Sequence, residues 1–339
     1  MSLSRESAPV TMEMVAKAAG VSMSTVSRVL TGTVAVSETK RVAIEKAIAE
    51  LRFVPSPVAR SLAKGRSMTI GIVTQAIDSP FYGLAMRGIE DELNPAGYMP
   101  LFVSGHWNVK TECQCIDALR ARRVDGVIVL TGRLTDQALI ECARFLPTVV
   151  TGRNLTAPGI CAMNFDHFSG GMLATRFLLE SGHRRIAFIA GDPDQPNSSE
   201  RQRGYQAALE AAGIAFDPDL VMPGDFHEAS GMLAVDRLVT AHIPFTAIFA
   251  ANDQMAYGAA LGLRRRGLRV PDDVSLVGFD DLPGSQYAAP PLTSVRQPAY
   301  ELGQVAAVAM LQMLSGTIPT CDLPPLTLTT RESTRRLLG

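Results

Sequence analysis

The period of the hydrophobic pattern changes along the chain. From Thr11 to Leu51 apolar residues return at helical spacing, whereas from Thr69 onward short apolar runs alternate with longer amphipathic ones. In the first stretch Thr11 is a cap for a helix carrying Met14, Val15 and Ala18, and Gly20 supplies a turn where a side chain is costly. Ser22 caps a second helix in which Val26, Val29 and Leu30 form an apolar stripe, leaving Ser24, Ser27 and Arg28 off it. A third helix is expected from the cap Ser37 to about Leu51. Its stripe of Ile44, Ala47, Ile48 and Leu51 closes a small core, with Lys40, Arg41 and Lys46 turned to solvent or a phosphate backbone. Hydroxyls and an arginine on the open face of a short helix suit a DNA major groove; an ordinary helical hairpin is the alternative.

Residues 53–65 follow with different punctuation. Pro55 and Pro57 open the segment, Ser56 and Pro57 fit a helix cap and first position, and Gly65 suits the exit. A helix this short is unstable alone, because nucleation is unfavourable below roughly 12 residues. It therefore orders only against something else.

Beyond Thr69, strands at 70–73, 101–103, 127–130 and 148–150 alternate with helices, the first opening at Pro80. The series restarts after a join near Cys161-Ala162-Met163. Strands follow at 186–189, 247–250 and 274–277, with helices near 168–181, 199–212, 228–241 and 253–266. Further strands near 293–295 and 326–328 imply that the chain crosses between two α/β halves more than once. In open α/β sheets ligands lie beyond the carboxyl ends of strands. Those ends carry Gln75, Asp78, His106, Trp107, Arg133, Arg153, Asp192, Asn252, Asp253, Asp280 and Asp281, a mixture that suits a polyhydroxylated ligand.

Composition narrows the picture. With 339 residues, 47% hydrophobic and 19% charged, the chain has room for two or three domains with sizeable cores. No apolar run approaches transmembrane length, and the polar start is not that of a signal peptide, so a cytoplasmic protein is expected. The net charge of −1 conceals an asymmetry: residues 1–66 hold ten Lys/Arg against five Asp/Glu, and the remainder is acidic. A basic head on an acidic body fits a head that meets phosphate. The five cysteines lack a Cys-x-x-Cys pair and read as buried free thiols in a reducing compartment.

Enzyme readings find little support. The first strand runs into Thr74-Gln75-Ala76-Ile77-Asp78 and not into a glycine-rich dinucleotide loop, and no phosphate loop, nucleophile elbow or His-Glu-x-x-His helix occurs. A transport sugar-binding protein has no use for residues 11–64.

The chain resembles the LacI/GalR family of bacterial transcription regulators over nearly its whole length. The most specific part is 15–22 (Val-Ala-Lys-Ala-Ala-Gly-Val-Ser) followed by 25–30 (Thr-Val-Ser-Arg-Val-Leu). Pro55 to Leu62, 124–126, 182–186, 251–256 and 277–281 support it. The resemblance implies a small all-α helix-turn-helix DNA-binding head (1–53), a hinge helix (54–66), and a two-subdomain α/β core with parallel sheets of periplasmic-binding-protein type (67–335). An N-subdomain of about 67–162 and 297–322 and a C-subdomain of about 163–296 and 323–335 are expected. Carried over by position, Met23, Ser24 and Arg28 read base edges, while Ser22, Thr25 and Ser27 contact phosphates. Leu62 is the apolar wedge entering the minor groove. For the effector, Arg201, Asn252 and Asp280 provide hydrogen bonds, Phe81 and Phe226 stack, and Gln297 lies near a crossover, with Arg153 a weaker candidate. The purine-responsive branch lacks an asparagine at the position of Asn252, so the resemblance favours a sugar or sugar derivative. The chain ends without leucine heptads, which implies a homodimer. The partners implied are double-stranded operator DNA and that small molecule; no cofactor, metal or membrane is expected.

Overall fold

The computed structural model describes residues 10–31, 36–53 and 66–337. It divides into two compact units, Met1–Met68 and Thr69–Gly339. In the first unit three helices, α1 (Met12–Ala18), α2 (Met23–Thr31) and α3 (Glu38–Leu51), enclose Val15, Ala16, Val26, Ile44, Ala47 and Phe53. Thr11 caps α1 by accepting the Met14 N–H at 3.4 Å, Gly20 turns the chain at φ +65°, and Ser22 accepts the Thr25 N–H at 3.3 Å. The buried face of α1 differs from expectation. Met14 and Ala18 are exposed, while Met12, Val15, Ala16 and Ala19 pack inward. A seven-residue helix with apolar residues on several sides has no phase of its own, so its neighbours choose the face. Arg41 is exposed but paired with Glu38 and Glu45. The proposed hinge helix and Leu62 lie outside the described residues.

The second unit contains two sheets. The first comprises β1 (Thr69–Thr74), β2 (Met99–Ser104), β3 (Gly126–Leu130), β4 (Thr148–Thr151) and β5 (Ile160–Met163), all parallel in the order β2-β1-β3-β4-β5. It is served by α4 (Pro80–Leu93), α5 (Val109–Ala121) and α6 (Asp136–Ala143). The second comprises β6 (Ile186–Ile189), β7 (Val221–Met222), β8 (Ala247–Ala250), β9 (Ser275–Asp280), β10 (Thr293–Arg296) and β11 (Thr327–Thr329). Its order is β11-β10-β9-β8-β6-β7, and only β11 runs antiparallel to its neighbour. Its helices are α7 (His167–Glu180), α8 (Pro196–Ala211), α9 (Glu228–Thr240) and α10 (Asp253–Arg265). Strands buried along their whole length, such as β3, β6 and β8, explain the continuous apolar runs in the sequence.

The chain passes between the sheets three times: after β5, after β10, and on the return to β11. Helix α11 (Ala299–Ser315) lies between the last two passages and packs on α4. Gly303 permits this approach, since a Cβ there would collide with the Ala85 carbonyl. Tyr300 and Gln304 hydrogen-bond Asp91 and Glu92 at 2.8 Å.

The return crossover also overturns the reading of the cysteines. Cys161 on β5 is disulfide-bonded to Cys321, 160 residues later. Of the others Cys142 is buried, Cys115 half-buried and Cys113 exposed. Spacing in sequence carried no sign of a pair that only the crossover brings together. Among the described residues no helix is long and apolar enough to cross a membrane.

Candidate functional site

Two surfaces hold the residues singled out by sequence. On α2, Met23, Ser24 and Arg28 are exposed, as is the cap Ser22, while Thr25 and Ser27 are half-buried. The hydroxyls of Ser22, Ser24 and Thr25 form a local network at 2.8 and 2.9 Å, which holds the start of the helix.

The other surface is a cleft of about 130 Å³ between the two sheets of the second unit. Phe81, Arg201, Phe226, Asn252, Asp280 and Gln297 all line it. Its centre is Arg201 on α8, only 5% exposed. The guanidinium donates from Nε to His167 Nδ1 at 3.3 Å, from Nη1 to the Ala251 carbonyl, and from Nη2 to Gln297 Oε1 at 2.8 Å. It also lies 3.7 Å from Asp280 and stacks over Phe279 at 3.7 Å. Because His167 Nδ1 accepts, its Nε2 carries the proton of the neutral ring, and burial together with Arg201 holds its pKa well below the usual value.

Asn252 is fixed by its own helix. Its Oδ1 caps α10 by accepting the Met255 N–H at 2.9 Å, and its Nδ2 donates to the Phe226 carbonyl at 2.9 Å. Phe226 packs over Gly191, where any Cβ would strike the ring. Behind this wall, buried Asp253 accepts from Leu282 N, Ser285 Oγ and Ser294 Oγ at 2.7, 2.6 and 2.5 Å. Burial raises Asp253 to about 7 against those donors. Burial likewise raises Asp280 to about 8, opposed by Arg201 and reinforced by Asp253.

The first-sheet wall is aromatic. Phe81 meets Tyr82 edge-on at 5.4 Å, and Tyr82 lies 6.1 Å from Trp107. Buried Gln75 holds the loops here, donating to the Thr131 carbonyl at 3.2 Å and accepting from Trp107 N at 3.0 Å. Buried Glu112 accepts the N–H groups of Arg133 and Leu134. From that loop Arg133 crosses to the other half, 2.7 Å from Asp192 and 3.4 Å from Asp194. Arg153 instead pairs with Asp136 and the Gly132 carbonyl and does not line the cleft.

Strained backbone concentrates at this cleft. Trp107, Thr131, Phe226 and Asp280 line it at φ 54°, 54°, 69° and 104°. Such conformations cost roughly 1–3 kcal/mol each and persist where function needs a particular side-chain direction. Tyr82, His167, Gln195 and Asn197 are lining residues that sequence reasoning missed. The sequence carried no signal that singled out these residues. Among the described residues no cluster of His, Cys, Asp and Glu is arranged to hold a metal. The arrangement sets fixed polar anchors and the Phe226 ring on one wall against the rings of Phe81, Tyr82 and Trp107 on the other.

Comparisons with known proteins cover both units of the chain. Residues 11–56 match bacterial regulatory proteins of the lacI family, and residues 175–334 match the periplasmic binding protein-like domain. The chain is 36% identical over 318 residues to the HTH-type transcriptional repressor CytR of Escherichia coli (strain K12), covering 93% of each. It is 35% identical over 304 residues to the ribose operon repressor of Haemophilus influenzae, covering 90% of this chain and 92% of the other. Among solved structures it is similar to the lac repressor dimer bound to operator and the anti-inducer ONPF, with a TM-score of 0.86 and 30% identity over 97% of this chain and 100% of that one. A transcriptional regulator CelR–cellobiose complex is similar at a TM-score of 0.71 and 36% identity, over 96% and 99%.

Proposed function

Because this chain belongs to the LacI family of bacterial regulatory proteins, which are DNA-binding transcription regulators and not enzymes, we propose that it is a cytoplasmic, dimeric repressor controlled by a sugar or sugar derivative. The observation that carries the ligand part is the convergence of Phe81, Arg201, Phe226, Asn252, Asp280 and Gln297 on one cleft. Residues 1–53 are the operator-reading head, 54–66 the hinge, and 67–335 the effector and dimer core, divided at 162/163, 296/297 and 322/323.

In this reading each head lays α2 in the major groove of one half-site, with Arg28 aimed at a guanine O6 and N7. Met23 and Ser24 add base contacts, Ser22, Thr25 and Ser27 fix register on phosphates, and Leu62 wedges the minor groove at the operator centre. Effector bound between the sheets changes the angle between the halves and so the spacing of the two hinge attachment points. Operator and effector then alter each other's affinity by the same factor.

Selection of operator sequences from a random pool, repeated with Arg28→Ala, tests the head. The variant is expected to lose about 1–3 kcal/mol and flatten preference at one base pair per half-site. Unchanged base preference would refute the assignment. A thermal-shift screen of sugars tests the cleft, since a ligand of the native state raises apparent stability.

A further inference from the structure

The charge of the cleft lining says more about the ligand than its shape does. Its acidic and basic residues are Asp78, Asp225, Asp280, Arg201, His167 and His227. Arg201 is the cation on which an anionic ligand would depend, yet three of its N–H groups are already bound to His167, Ala251 and Gln297. Of the two N–H groups left, the one on Nη2 faces Asp280 at 3.7 Å. A phosphate taking the two-pronged grip that an arginine usually offers would have to displace these partners and leave buried groups unpaired, which costs more than a hydrogen bond returns.

The mouth is acidic as well. Asp78, in the loop after β1, and Asp225, ahead of Phe226, are both exposed lining residues. Whether or not Asp280 holds its proton, Asp78 and Asp225 outnumber the charge of Arg201. The helix ends that open here offer an anion little. Helices α4 and α8 begin at Pro80 and Pro196, which have no N–H, and α10 carries buried Asp253 in its first turn. The rest of the lining is uncharged: amides, hydroxyls and rings, with Ala76, Gly152, Met163 and Leu302.

Building on the reading of this cleft as the effector site, we infer that it selects an uncharged ligand and rejects phosphorylated or carboxylated forms, with Asp78 and Asp225 setting that selectivity. The protein therefore senses the free compound, and a phosphorylating reaction that consumes this compound ends the signal.

Matched pairs test this on the full-length protein: glucose against glucose 6-phosphate, ribose against ribose 5-phosphate, and methyl glucoside against glucuronate, by thermal shift and calorimetry. The expected result is that a neutral member binds and its anionic counterpart binds at least about tenfold more weakly at low salt. The double variant Asp78→Asn/Asp225→Asn narrows that gap by strengthening the anionic member, and so does raising the salt, because exposed charges are screened. An anionic member that binds more tightly than its neutral partner overturns the selectivity while leaving the cleft as the effector site. A neutral ligand whose binding is unchanged by Phe81→Ala/Trp107→Ala overturns the cleft reading itself.

Discussion

The two halves of the core build opposite kinds of wall around one cleft. The second-sheet half presents buried polar groups that are already satisfied by one another: Arg201 by His167, Ala251 and Gln297, and Asn252 by Met255 and Phe226. The first-sheet half presents Phe81, Tyr82 and Trp107, whose loops are steadied by Gln75 and Glu112 from behind. One wall is pre-organised for direction, the other for area. In the proposed function, a ligand held by the first and covered by the second reports on the angle between them. That division is what a conformational switch requires.

The largest break in this comparison comes from the polar wall. Arg201→Met leaves His167, Gln297 and the Ala251 carbonyl without their donor. It is expected to cost about 3–5 kcal/mol in denaturant unfolding, at roughly 1–3 kcal/mol for each buried acceptor left unpaired. A loss under about 1 kcal/mol would show that the wall is not pre-organised.

Protonation sharpens the same point. The folded pKa of Asp280, about 8, lies above its unfolded value, so the native state binds the extra proton between about pH 4 and 8. Its contribution to stability is therefore complete at low pH and falls as pH rises through that window, by up to about 1.4 kcal/mol per pH unit. Asp280→Asn is expected to reduce the downward slope of the ligand-free stability profile over that window, most clearly between about pH 7 and 8, above the range of Asp253. An unchanged slope would remove Asp280 as its source.

On the aromatic wall the effect is smaller and falls on ligand, not on folding. Trp107→Ala is expected to weaken a bound sugar about tenfold while changing stability little, because the ring is only half-buried. Equal losses in binding and stability would erase the distinction between the walls. Smallest of all is the Arg133 clasp. Its ion pairs with Asp192 and Asp194 are partly exposed, so Arg133→Ala is expected to cost under about 1 kcal/mol. Its effect belongs in the opening of the cleft, read by distance between spin labels on the two halves. An unaltered distance distribution would leave the clasp without that role.

Much of this was legible in the sequence. The Thr11, Gly20 and Ser22 punctuation placed α1 and α2, and continuous apolar runs located β1, β3, β6 and β8. Six residues carried over from the family resemblance meet at one cleft. Legibility ended where contacts are non-local. The inward face of α1, the Cys161–Cys321 pair, and the place of Arg153 outside the cleft all depend on neighbours far along the chain.

The sequence by itself determined the local order of elements, since caps, turns and the period of apolar positions act over a few residues. It also determined the separation of a basic head from an acidic body. Only the tertiary structure decided that Arg201 is already partnered, that Asp280 is held at a positive φ beside it, and that rings from one sheet face amides from the other. The reason is physical. Hydrogen-bond satisfaction and burial are properties of surfaces brought together by three crossings of the chain, and no stretch of sequence contains both sides.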